Sequence, residues 1–144
     1  MSRPQPGRRA DYPHFEPLQM RWADTDIYGH MNNAVHYYLF DTAVQSFLVA
    51  NGLLDLGQSE TVFLVVSSGC NYFDEITFGD GIEAGMRITR LGNSAITYEI
   101  SIFRGVAATA AATGHFTHVN VTRATRRPAS LSEAARVKFG QLTG

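Results

Sequence analysis

The sequence predicts an α+β domain in which an antiparallel sheet curls over one long helix, and three observations carry that prediction. From Asn33 to about Asn51, apolar residues recur at Tyr37, Phe40, Val44, Phe47 and Leu48, the stripe of a helix with one buried face. Beyond it, Ile82 to Leu91 and Ile96 to Ile102 alternate apolar with polar or small residues, the period of strands with one face on a core. Glycine-rich turns at Gly79-Asp80-Gly81 and Gly92-Asn93-Ser94 separate these runs at hairpin spacing. One helix followed by a run of strands is the signature of an α+β layer arrangement, and the pattern alone fits several α+β sandwiches.

Length and composition bound the problem. A chain of 144 residues suits one domain with a real core, and 44% hydrophobic against 17% charged residues is ordinary for a folded protein. A net charge of −1 gives no reason to expect a nucleic-acid or membrane-surface partner. The single cysteine, Cys70, excludes an internal disulfide and suits a reducing compartment. The N-terminal MSRPQPGRRA lacks the apolar stretch of a secretory signal, and no apolar run approaches the ~20 residues of a membrane span. The expectation is a soluble, cytoplasmic protein.

In chain order, residues 1–14 hold three of the five prolines without periodicity and read as a flexible arm; residues 15–144 form the domain. Phe15 to Trp22 reads as a first strand, irregular at Pro17, and Asp24 to Asn32 as a loop. Asn51-Gly52 is a left-handed helix stop. Thr61 to Ile76 opens with Val62-Phe63-Leu64-Val65-Val66, the continuous apolar run of a buried strand. The alanine-rich stretch Ala107 to Ala112 reads as the start of a strand whose small side chains allow close approach, continuing from His115 to Thr122. Ser130 with Glu133 has the spacing of a capping box for a short terminal helix reaching about Phe139.

Chemistry concentrates between Asp24 and Asn33, where two carboxylates, an imidazole, a glycine and two asparagines precede the long helix. A helix start offers unpaired N–H groups and the positive end of a dipole to an oxygen that gains negative charge. An aspartate in such a loop is by itself most often a turn or cap residue. The run D-T-D-x-x-G-H-M-N-N-x-x-x-Y-Y-x-x-x-D, Asp24 to Asp41, resembles the opening of the 4-hydroxybenzoyl-CoA thioesterase family of hotdog-fold proteins. Phe73 to Asp80 and Arg90 to Tyr98 fit the same family in order and spacing.

The resemblance implies a hotdog fold, with the curved sheet wrapped around the central helix, and a homodimer or homotetramer with sites between chains. It implies an acyl-CoA thioesterase that hydrolyses a CoA thioester to the free acid and CoA, with no metal or other cofactor; coenzyme A enters only as part of the substrate. Carried onto these positions, Asp26 is the catalytic carboxylate, either nucleophile or general base, and the Asn33 backbone N–H polarises the carbonyl. Asp24 pins the loop. His30 either assists the carboxylate or packs beneath it, and Gly29 allows the sharp turn. Arg90, Gly92, Asn93 and Ser94 match the family's turn near the nucleotide end of coenzyme A, and Ser68 lies on the strand that lines the acyl pocket.

A metal site is not expected: Asp24, Asp26, His30 and His36 have no recognised ligand spacing, and His115 and His118 face opposite sides of their strand. No G-x-S-x-G, P-loop or dinucleotide fingerprint is present. Two alternatives stay open: a hotdog enoyl-thioester hydratase or dehydratase using Asp26 with His30, and a non-catalytic acyl-CoA-binding module.

Overall fold

The computed structural model describes residues 3–55, 57 and 59–143. Its elements are β1 (His14–Leu18), α1 (Asn33–Ala50), β2 (Thr61–Tyr72), β3 (Ile82–Leu91), β4 (Ala95–Arg104), β5 (Ala112–Thr122) and α2 (Glu133–Gly140). The strands form one antiparallel sheet in the order β1-β3-β4-β5-β2, so β1 and β2 are its rims. α1 lies against one face of this curved sheet, which is the hotdog architecture. None of the helices in the described residues is long and apolar enough to cross a membrane.

The stripe on α1 does what its spacing predicts. Phe40, Val44, Phe47 and Leu48 are buried, joined by Leu39, Ala43 and, less expectedly, His36, whereas Tyr37 is only half-buried. They meet Ile96, Tyr98, Ile100 and Ile102 of β4 and Ala84 and Met86 of β3 in the main core. Gly114 of β5 lets α1 come this close: a Cβ there would collide with the Phe40 ring and lie 2.7 Å from the Gly69 carbonyl oxygen. The helix ends as read, with Gly52 at φ 69° and the Gly52 and Leu53 N–H groups donating to the Val49 and Leu48 carbonyls.

Four expectations need correction. β1 stops at Leu18 rather than Trp22, because the chain turns into a 3₁₀ segment at Trp22–Asp24. β2 is not a covered strand: Leu64, Val65 and Val66 are 37%, 47% and 60% exposed, since the strand order leaves it with β5 on one side only. β5 begins at Ala112, the last alanine of its run; Ala110 and Ala111 are buried in the preceding loop. The cap of α2 is Ser132, which accepts from the Ala135 N–H at 3.1 Å, while Ser130 accepts from Asn93 Nδ2 at 3.0 Å.

The segment before β1, read as a flexible arm, is laid along the sheet's outer face. Gly7 N–H donates to Thr113 Oγ1 at 2.9 Å, Ala110 N–H donates to the Gly7 carbonyl, and Tyr12 is buried in a small second cluster with Phe103 and Ala110.

Candidate active site

The loop between β1 and α1 is built by its two aspartates in different ways. Asp24 is 5% exposed and accepts from the Arg21 N–H and from the Arg21 guanidinium, both at 2.8 Å. That guanidinium holds its carboxyl below the usual range, against the opposing effect of burial. Its carbonyl also takes the Asn32 N–H, so Asp24 ties the loop's entrance to its exit. Asp24 ends the 3₁₀ segment, Thr25 is extended, and Asp26 opens the next turn, its carbonyl accepting the Gly29 N–H.

Asp26 closes a tight turn. Its Oδ1 accepts from the Tyr28 N–H at 2.8 Å and the His30 N–H at 3.2 Å, and its own N–H donates to the His30 carbonyl. The turn needs Gly29 at φ 83°. One carboxylate oxygen is thus fixed by backbone donors, and Oδ2 has no protein donor among the described residues.

Around Asp26 lies an open cleft of about 250 Å³ lined by Tyr28, His30, Asn33, His36, Tyr72 and Glu75 among others. Asn32 caps α1, its Oδ1 accepting from Ala34 N–H at 2.9 Å. The Asn33 N–H, in the first turn, has no protein acceptor among the described residues. The Asn33 carbonyl faces two side-chain donors, Tyr72 OH at 2.8 Å and His36 Nδ1 at 3.2 Å. Burial pushes the His36 imidazole below its ordinary pKa, with the Asn33 and Asn32 carbonyls working in the other direction. His30 turns its ring away from Asp26 to Glu75, with Nε2 and Oε2 3.0 Å apart. Burial raises the Tyr72 hydroxyl's pKa, so Tyr72 stays a hydrogen-bond donor.

The structure therefore gathers Asp26, Gly29, His30 and Asn33 at one place, and leaves the other candidates elsewhere. Ser68 is exposed on β2, opposite Phe116 of β5 and outside the cleft. Arg90 to Ser94 form the β3–β4 turn, at the Thr61 end of the sheet and away from the Tyr72 end where the cleft lies. The turn's backbone is engaged internally: the Gly92 carbonyl accepts from Arg136 and the Asn93 carbonyl from the Leu131 N–H. Sequence reasoning missed Tyr72 and Glu75 as cleft residues, and weighed His36 only as a metal ligand. Among the described residues no group of three or more His, Cys, Asp or Glu side chains is gathered tightly enough to hold a metal ion.

A larger hollow of about 430 Å³ adjoins the cleft at Asp74 and is lined by Arg104, Asp80 and Thr109. Its one cation, Arg104, is spent on Asp74 and Asp80 at 2.9 and 3.1 Å. The cleft at Asp26 is the place where a carboxylate, a free helix-start N–H and a histidine converge.

Comparison with known proteins bears on the fold and the family. The PA5185 protein from Pseudomonas aeruginosa strain PAO1 is 43% identical and superposes with a TM-score of 0.93 over 98% of each chain. The 1,4-dihydroxy-2-naphthoyl-CoA thioesterase Slr0204 from Synechocystis shares the fold at 19% identity, with a TM-score of 0.79 over 89% of this chain and 96% of that one. The uncharacterised protein YsmA of Bacillus subtilis is 21% identical over 89 residues, which span 62% of this chain and 60% of YsmA. A family model described as the thioesterase-like superfamily matches residues 20–139, and the chain belongs to that superfamily.

Proposed function

We propose that the protein is an acyl-CoA thioesterase whose reacting centre is the Asp26 cleft. The observation that carries this is the Asp26 turn: Oδ1 is held by two backbone N–H groups, Oδ2 is left free, and the unpaired Asn33 N–H lines the same cleft. A thioester carbonyl placed there gains an N–H for its developing oxyanion, an interaction worth roughly 3 kcal/mol in a dry site. Asp26 then acts as nucleophile on the carbonyl carbon or as base toward a water.

The site is completed by a second copy of this chain. β2 is a twelve-residue rim strand with an exposed apolar run, the kind of edge that natural sheets cover or pair. Tyr28, which lines the cleft, is 77% exposed, and Ile27 beside it and Tyr38 on α1 are 91% and 74% exposed. Antiparallel pairing of β2 with its copy sets the Thr61 end of one strand beside the Tyr72 end of the other. The second copy's β3–β4 turn, remote from its own cleft, then comes to the end of the sheet where this cleft opens, as a candidate contact for the nucleotide end of coenzyme A.

The test is thiol release from a panel of acyl-CoA thioesters by the wild-type protein and Asp26→Asn. Asparagine keeps a carbonyl oxygen for the Tyr28 and His30 N–H groups, so the turn survives while the charge is lost. Turnover is expected to fall roughly 10²–10⁴-fold with an unchanged melting temperature. Wild-type turnover in a folded Asp26→Asn protein refutes the assignment. Addition of water to crotonyl-CoA without thiol release would instead identify a hydratase, and binding without turnover an acyl-CoA-binding module.

A further inference from the structure

We propose that His36 is a second catalytic residue of this site, the base that takes the proton of the water that attacks the acylated Asp26. This rests on the thioesterase reading and narrows it to the route in which Asp26 is the nucleophile.

His36 is 4% exposed and belongs to the buried stripe of α1, yet it also lines the cleft that holds Asp26. A buried imidazole in an apolar stripe must be satisfied, and this one is satisfied at one nitrogen only. Nδ1 lies 3.2 Å from the Asn33 carbonyl, where only an N–H can be accommodated, so Nδ1 carries the proton and Nε2 is the acceptor. Nε2 has no protein partner among the described residues, and it is not among the buried atoms sealed from solvent without a partner, as both nitrogens of His118 are. The residue keeps 4% of its surface exposed and lines the cleft.

The ring is also held still. Tyr72 meets it edge-on with centroids 4.7 Å apart and planes at 90°, and the Tyr72 hydroxyl donates to the same Asn33 carbonyl. Orientation is therefore set from α1 and from β2 together. The titratable groups that share its cleft are Tyr72 from β2, Asp26 and His30 from the loop before α1, and Asp74 and Glu75 from the loop after β2; of these, Tyr72 touches the ring. Burial keeps the ring neutral and thus in its accepting form at neutral pH. Toward water, a neutral imidazole is the stronger base and the carboxylate the weaker one, which divides the labour between the two groups.

Asp26 Oδ2 bonds to the carbonyl carbon, the C–S bond breaks, and the electron pair leaves on sulfur as a thiolate that takes a proton from solvent. A water oxygen then bonds to the same carbon as its proton passes to His36 Nε2. The bond to Asp26 breaks, the carboxylate is restored, and the acid departs with the water's remaining hydrogen. Nε2 returns its proton to solvent, replacing the one that the thiolate took.

The decisive experiment is pre-steady-state thiol release from an acyl-CoA that the wild-type protein turns over. His36→Gln should release about one thiol per site in a burst and then stall, with steady-state turnover down roughly 10²-fold or more; added imidazole should restore part of the slow phase. Asp26→Asn should show no burst. His36→Asn, whose amide can still donate toward the Asn33 carbonyl, should repeat the burst and covers the case in which the glutamine variant fails to fold. In the wild-type protein, the slow phase should lose rate with acid below the ordinary histidine range while the burst does not. A folded His36 variant with wild-type turnover overturns the proposal. So does a slow variant without a burst, or a wild-type slow phase without that acid limb. Absence of thiol release by the wild-type protein from every acyl-CoA tested would instead defeat the thioesterase reading itself.

Discussion

Acid should weaken this protein through one buried ring, that of His118. The side chain is 0% exposed on β5, stacked on Phe63 with centroids 5.8 Å apart and edge-on to Tyr98 and Phe116, and neither nitrogen has a hydrogen-bond partner among the described residues. Burial pushes its pKa from 6.5 down to about 4, opposed only weakly by the charge of Asp41 on α1. The unfolded chain therefore binds a proton that the folded one refuses over the window between those values. Stability is fully present above pH 6.5 and is lost as pH falls toward 4. A difference of about 2.5 pKa units corresponds to about 3 kcal/mol in total, of which about 2 kcal/mol is lost by pH 5. Urea denaturation of the wild-type protein and His118→Phe, at equal protein concentration and at pH 7.5, 6 and 5, isolates this effect, because the other titrating groups are common to both. The wild-type curve should fall about 2 kcal/mol further than that of the variant between pH 7.5 and 5. Parallel curves would show that His118 is charged in the fold or hydrated there, and would refute the reasoning.

Asp24→Asn should lower stability by about 1–3 kcal/mol, since a buried acceptor of backbone and guanidinium donors loses its charge; melting curves read this, and a loss of turnover in a protein of unchanged stability would contradict it. The wild-type Asp24 contribution is present above the ordinary carboxylate value of 3.8 and is lost as pH drops below it, because its folded pKa is lowered. Gly114→Ala should cost about 1–3 kcal/mol, as the new methyl meets the Phe40 ring and a backbone oxygen that cannot move aside; an alanine variant as stable as the wild type would show that α1 can shift outward freely. Val66→Lys, which places a charge on the open rim of β2, should convert a dimer to monomers in light scattering; a wild-type protein that is already monomeric and fully active would remove the need for a second copy.

What was legible beforehand follows from what is local. The helix, its glycine stop and strands β3 and β4 are written in periodicities of 3.6 and 2 and in turn glycines, so each could be read from its own residues. The apolar run of β2 announced a strand but not a rim, because position in a sheet depends on which strands pair far along the chain. The cap of α2 was misplaced by two residues because Ser130 and Ser132 both offer a hydroxyl, and only the contact with Asn93 draws Ser130 away. At the site, the residues within Asp24 to Asn33 were legible as a group because one turn holds them. Tyr72 and Glu75 reach the cleft from the end of β2 and the loop after it, some forty positions later, and no local signal marks such a meeting. His36 was hidden differently: it occupies a core position of the stripe, where its neighbours are all apolar, and its link to the Asn33 carbonyl is a matter of rotamer rather than of spacing.

Arg104 gives the cleft a remote adjustment. Standing at the end of β4, it clamps Asp74 and Asp80, the two ends of the loop that carries Glu75 toward His30. The loop is fastened again where the Phe73 and Asp74 N–H groups meet the Ala111 carbonyl and where the Ile76 carbonyl receives the Met31 N–H. With its base and its middle both moored, this wall cannot swing as a flap; it can only translate with the strand ends that anchor it. The width of the opening is thus a property of where β4 ends and β5 begins, and side-chain changes at that margin would retune which molecules enter the cleft without touching any residue that lines it.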